Sequence, residues 1–173
     1  MHLPRVPLWP KALAGAVRKT LRTPLLLASL LLLGAAAAKP PLPELRVPLE
    51  DAVLLTQAYL RQPLEPYKVA LKHKPREALW VWEVRLGTFE VWVEAQRGQV
   101  VYVRIRGLPP HAAQPHLPLA RILPLAREKV GRVERLELKP KPKEGLLVWE
   151  AKGHGREVWF DARTGRVLYH RGG

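Results

Sequence analysis

Carboxylates, histidines and hydroxyls are the side chains of this 173-residue chain that could do chemistry, and their placement argues against most of it. Six acids occupy matching places in two stretches: Glu83, Glu90 and Glu94 in one, Glu150, Glu157 and Asp161 in the other. Carboxylates held close together can act as general acid and base. Here they alternate with apolar residues, as along a strand, so the pattern predicts a solvated outer sheet face. The six histidines (His2, His73, His111, His116, His154 and His170) show neither H-x-x-x-H nor H-E-x-x-H spacing. Those spacings would set two imidazoles on one helix face for a metal, so no metal site is expected. Ser29 is the sole serine, cysteine is absent and no glycine-rich phosphate loop occurs. Nucleophilic catalysis therefore has no candidate. The expectation is a protein that is not an enzyme, with no catalytic residue and no cofactor.

The acids match because the chain repeats itself. Residues 79–104 and 146–171 align at an offset of 67 without a gap, and 12 of the 26 positions are identical. Self-similarity of this kind marks a duplicated structural unit. Each copy opens with an amphipathic stretch, residues 49–60 and 117–130, in which apolar residues recur at helical spacing. Gly131 supplies a stop to the second helix, and Pro124 should kink it or delay its start.

Alternating strands follow each helix. Trp80, Trp82, Val84 and Leu86 share a face in copy one, as do Leu147, Trp149 and Ala151 in copy two. Hairpin loops at residues 95–98 and 162–165 place Gly98 and Gly165 where a left-handed conformation is needed. Asp161 is expected to accept backbone N–H bonds around residues 163–165, with Thr164 in the same turn. The predicted fold class is α+β: two tandem modules, each one helix packed on a three- to four-stranded antiparallel sheet, behind an N-terminal apolar targeting helix. The predicted organisation is a signal peptide or membrane anchor over 1–38, a Pro-rich spacer over 39–47, one module over 48–106, a linker over 107–115 and a second module over 116–173.

The N-terminal assignment rests on charge and length. Arg5, Lys11, Arg18, Lys19 and Arg22 precede an apolar run over 25–38 that ends in small residues. This is the layout of an export signal, with Ala36 and Ala38 forming an A-x-A pattern. The run is shorter than the roughly 20 residues that span a bilayer, yet a thin span from residue 21 would serve as an anchor. Both readings put the folded part outside the cytoplasm, periplasmic or secreted. The remaining residues carry 24 cations against 15 carboxylates, a surplus that attracts polyanions without choosing among them. Frequent Pro and absent Asn and Cys fit a heat-adapted composition.

The ending of copy two, Glu157-Val-Trp-Phe-Asp161-Ala-Arg-Thr-Gly165-Arg-Val, resembles that of the PepSY domain family. Copy one is similar but departs from the pattern, with Glu94 in place of Asp, Arg97 in place of Thr and no Gly after its helix. The resemblance covers nearly everything after residue 48. It implies a cystatin-like module without catalytic residues, of a kind found in propeptides of thermolysin-type metalloproteases and in exported bacterial proteins. It further implies a role in restraining or modulating peptidases.

Trp92 and Trp159 are the candidate partner-binding residues. Each lies between two core-facing residues on its strand and so points to the opposite side, beside charged neighbours. The expected partner is an extracytoplasmic protein such as a peptidase, with an anionic membrane surface as a further class. The alternative function is a polyanion binder, taking anionic lipid, cell-wall polymer or single-stranded nucleic acid. Export counts against nucleic acid.

Overall fold

The computed structural model describes residues 38–172, so the expected targeting segment lies almost wholly outside the described residues. Among the described residues no helix is long and apolar enough to cross a membrane. Helix α1 (Leu49–Leu60) is followed by strands β1 (Pro66–Lys74), β2 (Leu79–Leu86), β3 (Phe89–Glu94) and β4 (Val100–Ile105). A short 3-10 turn at Pro110–Ala113 leads to helix α2 (Leu119–Val130). Strands β5 (Arg135–Lys141), β6 (Leu146–Gly153), β7 (Arg156–Asp161) and β8 (Val167–Arg171) complete the chain.

The strands overturn the expectation of two helix-on-sheet modules. All eight belong to one antiparallel sheet, ordered β4-β3-β2-β1-β5-β6-β7-β8. The join is β1 against β5, through Lys68 opposite Glu137, Val69 opposite Leu136 and Ala70 opposite Arg135. The physical reason is the edge. A separate four-stranded sheet would leave β1 with unpaired N–H and C=O groups facing water. Pairing two such edges satisfies both and merges two small cores into one. Val69, Trp82, Val91, Leu136, Trp149 and Phe160 accordingly belong to a single apolar cluster under both helices. Larger cores bury a greater fraction of the chain and are less marginal.

The helices are seated by the repeat's most buried aromatics. Trp82 is 1% exposed and Trp149 fully buried. Each indole N–H leaves the core through a backbone carbonyl just before a helix: Trp82 Nε1 donates to Val47 O at 2.8 Å, and Trp149 Nε1 to Leu117 O at 2.9 Å. Pro124 lies within α2, which runs from Leu119 to Val130. The helices end differently. Gly131 takes φ 72° after α2, whereas Arg61 takes the left-handed conformation after α1 and donates its N–H to Ala58 O. Between the helices lies an apolar groove of about 430 Å³ lined in part by Val53, Leu54, Leu119 and Leu123. An ion pair between Glu50 and Arg127 crosses it.

The hairpin turns of the two copies use related chemistry. Asp161 Oδ1 accepts from the N–H groups of Arg163 and Thr164, both at 2.9 Å, and from the Thr164 hydroxyl at 3.1 Å. Glu94 fills the same place with both oxygens, accepting from Gln96 N at 3.0 Å and Arg97 N at 2.6 Å. Gly98 and Gly165 have φ of 74° and 75°. The departure of copy one from the Asp pattern thus preserves the turn.

Gly153 marks where the C-terminal end of α2 crosses the sheet. A Cβ added there would lie 1.9 Å from Arg132 O and 3.2 Å from Val130 Cγ2. Gly153→Ala should therefore lose about 1–3 kcal/mol or more, as overpacked sites do. Gly107→Ala, with nothing within 4 Å of the added carbon, should stay within about 0.5 kcal/mol. Urea denaturation of both variants checks this; equal midpoints would contradict the packing.

Candidate functional site

Strand alternation sends one set of side chains into the core and the other to the sheet's outer face, away from both helices. The register arranges that outer face in rows. In copy one, Arg104, Glu90, Arg85 and Lys68 lie side by side, and the next row holds Tyr102, Trp92, Glu83 and Ala70. In copy two, Arg171, Glu157, Lys152 and Arg135 form one row, and Tyr169, Trp159, Glu150 and Glu137 the next. The two arrays face each other head to foot across the β1–β5 seam. Lys68 and Arg135, equivalent in the repeat, flank it.

The glutamates are not solvated, contrary to expectation. Glu83, Glu90, Glu150 and Glu157 are buried, Glu90 to 1% exposure. They are sunk beneath longer cationic side chains. Among the described residues of this face, eleven Lys and Arg side chains converge on five glutamates. Glu90 is reached by Arg85 at 3.0 Å, Arg104 at 3.2 Å and Arg106 at 2.6 Å. Glu150 is reached by Lys139 at 2.8 Å, Lys141 at 3.3 Å and Lys152 at 3.5 Å. Burial raises the Glu90 carboxyl, but hydrogen bonds from Arg106, Trp92 and Arg104 outweigh it and hold the group at about 2. Burial likewise opposes ionisation of Glu137, where the charges of Lys68, Arg135 and Lys139 prevail and lower it. Lys68 lies between Glu83 at 3.5 Å and Glu137 at 3.2 Å. Its burial lowers the ammonium's pKa in spite of both partners.

Trp92 and Trp159 lie on this outer face, as their alternation requires, yet neither is open. Lys74 Nζ sits 3.5 Å over the Trp92 ring and the Tyr102 ring packs against it with centroids 4.2 Å apart. Lys141 Nζ sits 3.6 Å over Trp159, with the Tyr169 ring at 4.6 Å. Each indole N–H is also engaged, with Glu90 Oε1 at 3.1 Å and Glu157 Oε1 at 2.7 Å. The tryptophans therefore act as braces that fix lysines and glutamates in place. Cation–π contacts of this kind are worth about 0.5–2 kcal/mol each. The turn residues Asp161, Thr164, Gly165 and Gly98 lie at the hairpin ends of the sheet and serve backbone geometry.

Sequence reasoning reads residues 139–143 as a basic loop, whereas Lys139 and Lys141 lie on β5, and it did not bring the cations together on one face. Lys72, Lys74 and Arg104 recur as Lys139, Lys141 and Arg171 at the same 67-residue offset, so the signal was present. Their significance depends on which face they share, and the register supplies that. The outward positions are in fact better preserved between the copies than the inward ones. Outward, Glu83, Glu90, Trp92 and Tyr102 recur unchanged, as do the three cations just named. Inward, Trp80 becomes Leu147, Val84 becomes Ala151, Leu86 becomes Gly153, Phe89 becomes Arg156 and Val93 becomes Phe160. A core tolerates such exchange provided its volume and pattern are kept.

Among the described residues no group of three His, Asp or Glu side chains has the geometry to hold a metal ion. No protein-family model matches the chain, and no curated protein matches it. Among solved structures, the crystal structure of a "putative lipoprotein" from Clostridium difficile 630 is similar, with 13% identity and a TM-score of 0.40. The likeness covers 75% of this chain and 95% of that one.

The low carboxyl of Glu90 has a consequence in acid. Its value in the folded protein, about 2, lies below the ordinary 4.5. Its contribution to stability is therefore complete above about pH 5 and is lost as pH falls toward 2. Replacing Glu90 by Gln should flatten stability over that interval, as measured by urea midpoints at successive pH values. An unchanged slope would mean that the carboxylate is not held by the arginines.

Proposed function

We propose that this chain is a non-catalytic protein of the cell envelope, working outside the cytoplasm, that binds another envelope protein through the outer face of its sheet and restrains it. The observation that carries this reading is the preservation of that face between the two copies while the core beneath it has changed. Packing keeps the buried glutamates and half-buried tryptophans of that face, but it does not demand identity at the exposed cations, such as Arg104 and Arg171, whereas a binding surface does. The basic, apolar and small-residue order of the N-terminal segment supports the location. A peptidase is the partner class implied by the PepSY resemblance, and a membrane-tethered or released form is equally compatible with it.

The alternative, binding of anionic lipid, cell-wall polymer or single-stranded nucleic acid, draws on the same cations. Its aromatic part lacks support, because stacking a base needs a free ring face and each indole is already packed by a lysine and a tyrosine.

Titrating the purified full chain into a thermolysin-type metalloprotease, with cleavage of a small peptide substrate as readout, tests the peptidase reading. Saturable inhibition is expected, with the chain left intact. The double variant Lys74→Glu, Lys141→Glu should weaken it by about tenfold or more, as loss of central charged contacts does. Absence of inhibition, or inhibition indifferent to that variant, would count against the reading.

A further inference from the structure

We propose that the partner meets the outer face with an extended acidic peptide segment, laid across the strands so that both repeats hold it at once. This rests on the reading above, in which the face binds an envelope protein, and it names the chemistry of the contact.

The first ground is the sign of the exposed charge. A ligand approaching the face meets cation heads, because the carboxylates lie below them. The Arg171 side chain is 69% exposed, and those of Arg104 and Lys72 more than 40%. The glutamates they reach are no more than 10% exposed. Ion pairs inward leave these long side chains with N–H donors to spare, since a guanidinium carries five and an ammonium three. The field outside the sheet is therefore positive on both sides of the seam, and it selects and steers an anion.

The second ground is the kind of anion. The face already shows what its cations bind: carboxylates, each shared among several Lys and Arg groups. It is built of strands, whose backbone N–H groups are used in the ladder. Phosphate sites characteristically add a helix N-terminus or a nest of free backbone N–H groups. Both helices lie on the opposite side of the sheet. Bases are disfavoured for the reason already given, that each indole is already packed by a lysine and a tyrosine.

The third ground is the duplication. Trp92 on β3 and Trp159 on β7 are five strand spacings apart in the sheet order. At about 4.8 Å per spacing this is roughly 24 Å, the length of about seven extended residues. One acidic strand of that length reaches the cations of both copies. Engagement of the second copy is then intramolecular and strengthens binding without any new kind of contact. Selection for such two-point binding accounts for Lys72, Lys74 and Arg104 being kept in both copies.

The test is fluorescence anisotropy of the full chain with labelled oligoglutamate peptides of about ten and about four residues, the longer able to bridge the repeats. Saturable binding of the longer peptide is expected, weakening steeply as salt is raised. The shorter peptide should bind at least about tenfold more weakly. Lys72→Glu in copy one and Arg171→Glu in copy two should each weaken the longer peptide by about tenfold, and together abolish binding. Should a charge reversal lower the melting temperature, Lys72→Gln and Arg171→Gln replace it, and a shallower salt dependence is expected of them. No binding of the longer peptide at low salt overturns the proposal, as does equal affinity for both lengths. Tighter binding of inorganic polyphosphate, or of phosphatidylglycerol vesicles, with the same response to the variants overturns the choice of a carboxylate ligand. Failure with oligoglutamate while charge-sensitive protease inhibition persists would sink this inference and leave the broader reading standing. Oligoglutamate binding without protease inhibition would uphold the acidic ligand and move the partner outside that protease class.

Discussion

Everything distinctive about this protein depends on the antiparallel pairing of β1 with β5. Only three residue pairs define the register of that seam, yet it decides how many cores there are and how many sheet edges face water. Without it, two small sheets would each carry an unprotected inner edge. With it, the edges satisfy each other, Val69 and Leu136 become neighbours in one core, and among the described residues the free edges are β4 and β8. Both of these carry an irregularity in register opposite β3 and β7 respectively, a device that discourages further strand addition.

The seam also organises charge. It brings Lys68 of one copy against Glu137 of the other, with both side chains largely withdrawn from water. Desolvation makes such a pair of doubtful net value for stability, and its better-attested use is to specify one arrangement over others. Slipping β1 against β5 by one residue would send Lys68 into the core and Val69 out of it. The buried pair thus penalises the wrong register more than it strengthens the right one. Outward from the seam, the same logic is repeated: a glutamate at the base, cations over it, and a tryptophan that holds both a lysine and the carboxylate. The result is a face whose floor is acidic and whose exposed rim is basic.

A duplicated unit offers a comparison within one chain. Core positions have drifted in size, Leu86 to Gly153 being the largest step, because neighbouring backbone and side chains can move to refill the space. In copy two that space is taken by the turn after α2, where Arg132 O approaches the sheet. Outward positions have drifted less. Part of this is internal, since a buried glutamate needs its cations. Lys68 to Arg135 and Arg85 to Lys152 show that either cation serves that need, so the unchanged lysines at 72, 74, 139 and 141 answer to more than the ion lattice.

The sequence by itself determined the duplication, a helix over 49–60 and a second over 117–130 that forms from Leu119, the strand alternation and the hairpin turns at Gly98 and Gly165. These are local: each rests on spacing within a dozen residues, and spacing is what a sequence displays. It also determined that Trp92 and Trp159 face away from the core, because alternation leaves no other choice. The tertiary structure alone decided that two repeats make one sheet, since edge pairing is a contact between residues 65 to 69 apart that no local pattern encodes. It decided that the glutamates are buried and the tryptophans enclosed, because burial on an outer face comes from lysines and arginines of neighbouring strands. An alternating Glu looks the same in sequence whether water or a guanidinium covers it. Only the register says which.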